Sequence, residues 1–111
     1  MIKRPLIFIL LLFVLAAKAE AAALVFVEDN SFSENGYKYV QGVVKNESDN
    51  TLKVVTVTVK FYNQTKEFLK FAQCFVKPAY LLPGHEGFYS ISVRNDPKIR
   101  GYSLHADYNL E

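Results

Sequence analysis

Between Leu52 and Asn63 the chain runs Leu-Lys-Val-Val-Thr-Val-Thr-Val-Lys-Phe-Tyr-Asn, with Val55, Val57, Val59 and Phe61 at every second position and Thr56, Thr58, Lys60 and Tyr62 between them. A period of two puts alternate side chains on opposite faces of a strand, here one apolar face for a core and one for water or a partner. The β-branched residues on both faces suit a pleated surface and disfavour helix. Each Val buried on the inner face stabilises the fold by roughly 1.5–3 kcal/mol, so this ribbon can anchor a small sandwich.

The flanking chain reads as further short strands divided by turn residues. Leu24-Val25-Phe26-Val27 predicts a short first strand at an edge, followed by a polar connection from Glu28 to Gly36. Asn35-Gly36 favours the positive φ angles of a hairpin turn. Tyr37 to Val44 predicts a second strand, in which Gly42 marks a bulge or a close backbone approach. Asn46 to Asn50 and Asn63-Gln64-Thr65 are turns on either side of the central ribbon, and Phe68 to Val76 predicts a fourth strand stopped by Pro78. Leu81 to Gly87 is a tight loop with Pro83 and Gly84 in the order of a type II turn. Tyr89, Ile91 and Val93 alternate with serines, Asn95-Asp96-Pro97 breaks the run, and Tyr102 to Tyr108 supplies a last strand. Six short strands with regular turn signals and no amphipathic helix predict an all-β, two-sheet antiparallel sandwich.

The first residues have a different logic. Met1 to Arg4 is a short basic start, Leu6 to Ala17 is an uncharged apolar run, and Ala17-Lys18-Ala19 offers an A-x-A site. This is the layout of a secretory signal peptide cleaved after Ala19, and the run falls short of the ~20 apolar residues that span a bilayer. The expected product is therefore exported, periplasmic or extracellular, with residues 20–111 forming one domain. It meets the membrane only through the signal before cleavage. Lys3, Arg4 and Lys18 leave with the signal, so ten basic residues remain against 11 acidic ones. A near-neutral product without a basic stripe is not a nucleic-acid binder. Cys74 is the only cysteine, so packing and sheet hydrogen bonds, rather than a disulfide within the chain, must stabilise the domain.

Few residues offer chemistry. His85, His105 and Cys74 raise the idea of a periplasmic metal carrier, but no histidine follows Cys74 at ligand-loop spacing and the only methionine is Met1. His85 reads as a turn residue and His105 as an outward residue, and no metal ligand or cofactor is assigned. The serines do not lie in a G-x-S-x-G elbow, and no phosphate-cradling glycine loop is present. Cys74, in phase with Ala72 and Val76, reads as a small packing residue. No catalytic residue is assigned, and the chain is not expected to be an enzyme. Asn46-Glu47-Ser48 and Asn63-Gln64-Thr65 match the N-glycosylation pattern, both in predicted turns. In a eukaryote both would be acceptors, but against a bacterial background they are chance products of turn-rich composition, and Asn46 is expected to bond nearby backbone.

The pieces also resemble, in order and spacing, the FxLYD domain family of exported and surface proteins, chiefly bacterial and archaeal. The matching residues are Val40-x-Gly42-x-Val44-x-Asn46-x-Ser48, then Leu52 with Val55-x-Val57-x-Val59-x-Phe61-Tyr62-Asn63. They continue with Val76-x-Pro78-x-x-Leu81-x-Pro83-Gly84 and Tyr89-x-Ile91-x-Val93. The motif that gives the family its name falls on Val59 to Asn63. Only Tyr62 is literal there; Val59, Phe61 and Asn63 stand for phenylalanine, leucine and aspartate. The resemblance implies an immunoglobulin-like or fibronectin-like sandwich of about six to seven strands and no catalytic residue.

Seven Phe and seven Tyr follow Ala19, more than a sandwich of this size easily buries. Tyr37, Tyr39, Phe71 and Phe75 are the candidates for an exposed interaction surface. The expected function is that of a non-catalytic module that binds an envelope protein or serves as a structural accessory. The alternative is a small-ligand or glycan binder that stacks its ligand on Tyr and Phe.

Overall fold

The computed structural model describes residues 23–111, so the expected signal segment at 1–19 lies outside the described residues. The described chain forms seven strands and no helix: β1 (Leu24–Glu34), β2 (Tyr37–Asn46), β3 (Leu52–Tyr62), β4 (Phe68–Phe75), β5 (Tyr80–Leu81), β6 (Glu86–Arg94) and β7 (Gly101–Leu110). One sheet has the order β1-β2-β6. In the other, β3 is central: β7 runs along one edge, and β4 and then β5 share the opposite edge. All pairings are antiparallel. The order is that of an immunoglobulin-like sandwich, with β1-β2-β6 in the places of strands A, B and E and β3-β7 in those of C and F. Among the described residues nothing occupies the place of strand G beside β7.

The valine ribbon is the centre of the core. Val57, Val59 and Phe61 are fully buried, Val55 nearly so, and Val40, Val44, Tyr89 and Ile91 meet them from the facing sheet. Asn35 and Gly36 both take positive φ, at 54° and 85°, which gives the twist-matched two-residue hairpin between β1 and β2. Gly84 has a φ of 80° and the His85 N–H donates to the Leu82 carbonyl at 3.0 Å, closing the expected type II turn. Gly42 is a place of close approach. A Cβ there would collide with the Glu28 carbonyl oxygen and lie 2.6 Å from the Tyr89 hydroxyl.

Three features depart from the sequence expectation. The polar stretch after Val27 is strand as far as Glu34, because hydrogen bonding to β2 at a sheet edge needs no buried side chains. Within it Val27 is an extra residue between the Phe26–Val44 and Glu28–Val43 pairs, a bulge that turns Asp29 and Ser31 inward. Tyr80-Leu81 is a short seventh strand on β3, paired with Lys53 and Leu52, where only loop was expected. Finally, β3 itself is bulged between Lys53 and Thr56 opposite β7, and Val54 takes a φ of +52°.

A β-branched residue in the left-handed region is strained by about 1–2 kcal/mol. Val54 is 48% exposed, so little packing is lost when its side chain goes. Val54→Gly is expected to raise stability by about 1 kcal/mol, read as a higher urea midpoint at unchanged slope. A lower midpoint would show that the bulge is not strained.

Candidate functional site

The two sheets approach each other along β4 and β6. After Val76, whose N–H donates to the Val55 carbonyl at 2.8 Å, the chain leaves β3, and Lys77 exchanges two backbone hydrogen bonds with Phe88 of β6. This seam carries the most exposed apolar side chains of the described residues. Phe75 is 68% exposed and Phe88 65%, with Tyr80, Val54 and Leu82 also in the open.

Phe75 stands between two grooves. One, of about 660 Å³, is lined by Phe75, Phe88 and Lys77 together with Glu28, Asn30, Gln41 and Ser90. The other, of about 340 Å³, is lined by Phe75, Tyr80, Val54 and Lys53. Three elements position these groups. The outward phase of β4 projects Phe75 beside Thr56, the outward phase of β6 projects Phe88 beside Val43, and the strained β3 bulge holds Val54 beside Tyr80.

The four aromatic residues expected at a surface are not brought together. Phe71 (57% exposed) and Phe75 lie on the outer face of β4. Tyr37 and Tyr39 lie on the outer face of β2 in the other sheet. Tyr39 is half-buried and stacks on Phe32 with ring centres 5.0 Å apart. Sequence reasoning missed Val54, Tyr80 and Phe88. For Phe88 a signal was present: it shares its phase with Ser90 and Ser92, the solvent face of β6. For Val54 and Tyr80 there was none, because the bulge and the two-residue strand arise only through pairing.

The reactive side chains are dispersed. His85 closes the turn before β6, and His105 points outward from β7, 3.2 Å from Asp107. Cys74 faces inward on β4, where burial pushes its thiol up and a Ser90 backbone hydrogen bond partly opposes this. Among the described residues, no three of the His, Cys, Asp and Glu side chains are grouped to hold a metal ion. Near the surface, the Tyr102 hydroxyl donates to the exposed Asp29 carboxylate, tying β7 to β1 across the layers. Burial first, then this bond and the charge of Asp29, push Tyr102 up to about 12 from the usual 10. Tyr89 is raised too, mainly by burial and next by Asp29. Its hydroxyl is buried and has no hydrogen-bond partner among the described residues.

Both tyrosines hold their protons more tightly when folded, so their contribution is complete below about pH 10 and is lost as pH rises toward the folded values. Melting temperature is expected to fall across that alkaline window, and Tyr102→Phe is expected to flatten the fall. Tyr89→Phe removes an unpaired buried hydroxyl and is expected to leave neutral-pH stability unchanged or higher by about 1 kcal/mol. A melting temperature constant from pH 9 to 12 would contradict the placement of both groups.

No family model and no curated protein matches the chain, so the resemblance to FxLYD domains rests on the residues quoted for it. Among solved structures the chain is similar to a DUF1425 family member from Shewanella sp. pv-4, with a TM-score of 0.57 over 79% of this chain and 80% of that one. The sequence identity is 9%, and the likeness is one of fold alone.

Proposed function

We propose that the protein is a non-catalytic, exported sandwich module of the cell envelope that binds another protein through the seam around Phe75. The observation that carries the reading is the exposed pair Phe75 and Phe88, set on either side of Lys77. Aromatic anchors with a polar surround are the composition of protein-binding hot spots. The basic start, short apolar run and Ala17-x-Ala19 site support export. The scatter of histidine, cysteine and acidic side chains supports a role without catalysis, cofactor or metal.

The test is photocrosslinking in intact cells, with a photoreactive phenylalanine analogue placed at Phe75, at Phe88 or at Tyr37. One discrete adduct from the first two positions and none from Tyr37 is the expected result. In a binding assay with the captured protein, Phe75→Ser is expected to weaken affinity by about thirtyfold or more, the scale of a hot spot of ~2 kcal/mol. Equal labelling from all three positions, or an affinity untouched by Phe75→Ser, would refute the reading.

A glycan-binding reading has one specific observation in its favour. The larger groove sets Asn30, Gln41 and Ser90 beside Phe75 and Phe88, polar groups next to stacking rings. Calorimetric titration with cell-wall oligosaccharides separates the two readings; heat abolished by Phe88→Ser would favour the glycan.

A further inference from the structure

In the sheet centred on β3, here the central sheet, the β7 edge is built differently from the β1, β4 and β6 edges. The β1 edge carries a bulge and the acidic residues Glu28, Asp29 and Glu34, and β4 and β6 close on each other through the Lys77–Phe88 bridge. These are the usual devices that keep strand edges from pairing with other chains. By contrast, β7 is ten residues long with no Pro, Lys or Arg, and among the described residues it pairs only with β3. Its inward side chains are incompletely covered: Tyr102, Leu104 and Ala106 are half-buried, and Tyr108 and Leu110 are 40% and 58% exposed.

We propose that β7 pairs antiparallel with β7 of a second copy of this chain, joining the two central sheets into one across a twofold axis at Ala106. In such a pair the axis is perpendicular to the sheet, so a residue meets one of its own parity and each face is kept. Centring the axis on Ala106 pairs the strand from Tyr102 to Leu110 with its copy, through Ala106 against itself. The same register sets Leu104 against Tyr108 and Tyr102 against Leu110 on the inner face, covering the two most exposed apolar residues of β7. On the outer face it sets His105 against Asp107 twice, by symmetry, and Ser103 against Asn109. A shift of the axis by one residue, to His105, places the two histidines against each other and Asp107 against Ser103. Both registers pair nine residues of β7, so the complementarity of His105 and Asp107 selects the Ala106 register, the one that also sets Leu110 against a strand residue. The partner is a copy of the chain because the edge is complementary to itself. This edge lies across β3 from the aromatic seam, so the interface is independent of the binding reading above.

Sedimentation velocity over a concentration series tests the proposal. The protein is expected to show a reversible monomer–dimer equilibrium. His105 and Asp107 side chains are 67% and 73% exposed, so exchanging them leaves the fold intact. His105→Asp sets two carboxylates against each other at both symmetry-related positions and is expected to raise the dimer dissociation constant about tenfold. The double variant H105D/D107K restores opposite charges and is expected to return it to near the original value. His105→Lys, which keeps a full positive charge opposite Asp107, is expected to tighten the dimer. A monomer at every concentration overturns the proposal. So does a dimer indifferent to His105→Asp, or one weakened by it and not recovered in H105D/D107K.

Discussion

Asn46→Ala is expected to cost about 3 kcal/mol or more, the largest loss available from a polar residue in this domain. The side chain is fully buried at the end of β2. Its Nδ2 donates to the carbonyls of Asn50 and Leu81, each at 2.7 Å, and its Oδ1 accepts from the Ser48 N–H at 2.9 Å and the Ser48 hydroxyl at 2.7 Å. Its backbone is engaged as well: its N–H donates to the His85 carbonyl, and its own carbonyl accepts from the Gly84 N–H. One residue thus fastens the β2–β3 turn, the short strand β5 and the β5–β6 turn. Alanine leaves the buried Leu81 carbonyl without its partner and releases the turn at Ser48. Asn46→Asp is expected to do no better, because a carboxylate cannot donate to the Asn50 or Leu81 carbonyl and its charge would be buried. Urea unfolding checks both, as a midpoint shift at constant slope; a loss below 1 kcal/mol would remove Asn46 from this role. The Asn46 amide is buried and occupied inside the protein, whereas Asn63 lies in an exposed turn, its Nδ2 donating to Glu67.

Phe61→Ala is expected to cost about 3–5 kcal/mol, the range for removing a large aromatic side chain from a packed core. Phe61 is fully buried at the end of the valine ribbon, with the Tyr102 ring centre 6.5 Å away. The core cluster that Phe61 belongs to, Val59, Ile91 and Ile99 included, is itself buried, so the space left would close only in part. Lys60→Ala, one position away on the opposite face, is expected to change stability by less than about 0.5 kcal/mol. The contrast between adjacent residues measures how strictly the two faces of β3 are divided. Similar losses at both positions would show that the ribbon is covered on both sides.

The period-two pattern of Val55 to Phe61 was enough to identify the central strand and its buried face, because alternation is a property of the pleat and needs no neighbour. Asn35-Gly36 and Pro83-Gly84 were legible for an equally local reason: few residues tolerate positive φ. Phe75 was a candidate for exposure from its phase against Ala72 and Cys74, but both phases of β4 carry apolar residues, so the pattern left open whether that face was covered.

Pairing decided the rest. That β1 continues through polar residues to Glu34, that Val54 is forced to positive φ, and that Tyr80-Leu81 is a strand all depend on which backbone lies alongside. The candidate site is of this kind. Val54, Phe75, Tyr80 and Phe88 come from four strands, and only the crossing of the chain from one sheet to the other at Val76-Lys77 sets them around one ridge. By itself the sequence determined a two-layered β-protein closed over a valine ribbon, because burial periodicity is written residue by residue. Which outward side chains share a surface was decided by tertiary structure alone, because solvent-facing positions are not selected by a core and acquire neighbours only when strands distant in sequence are hydrogen-bonded side by side.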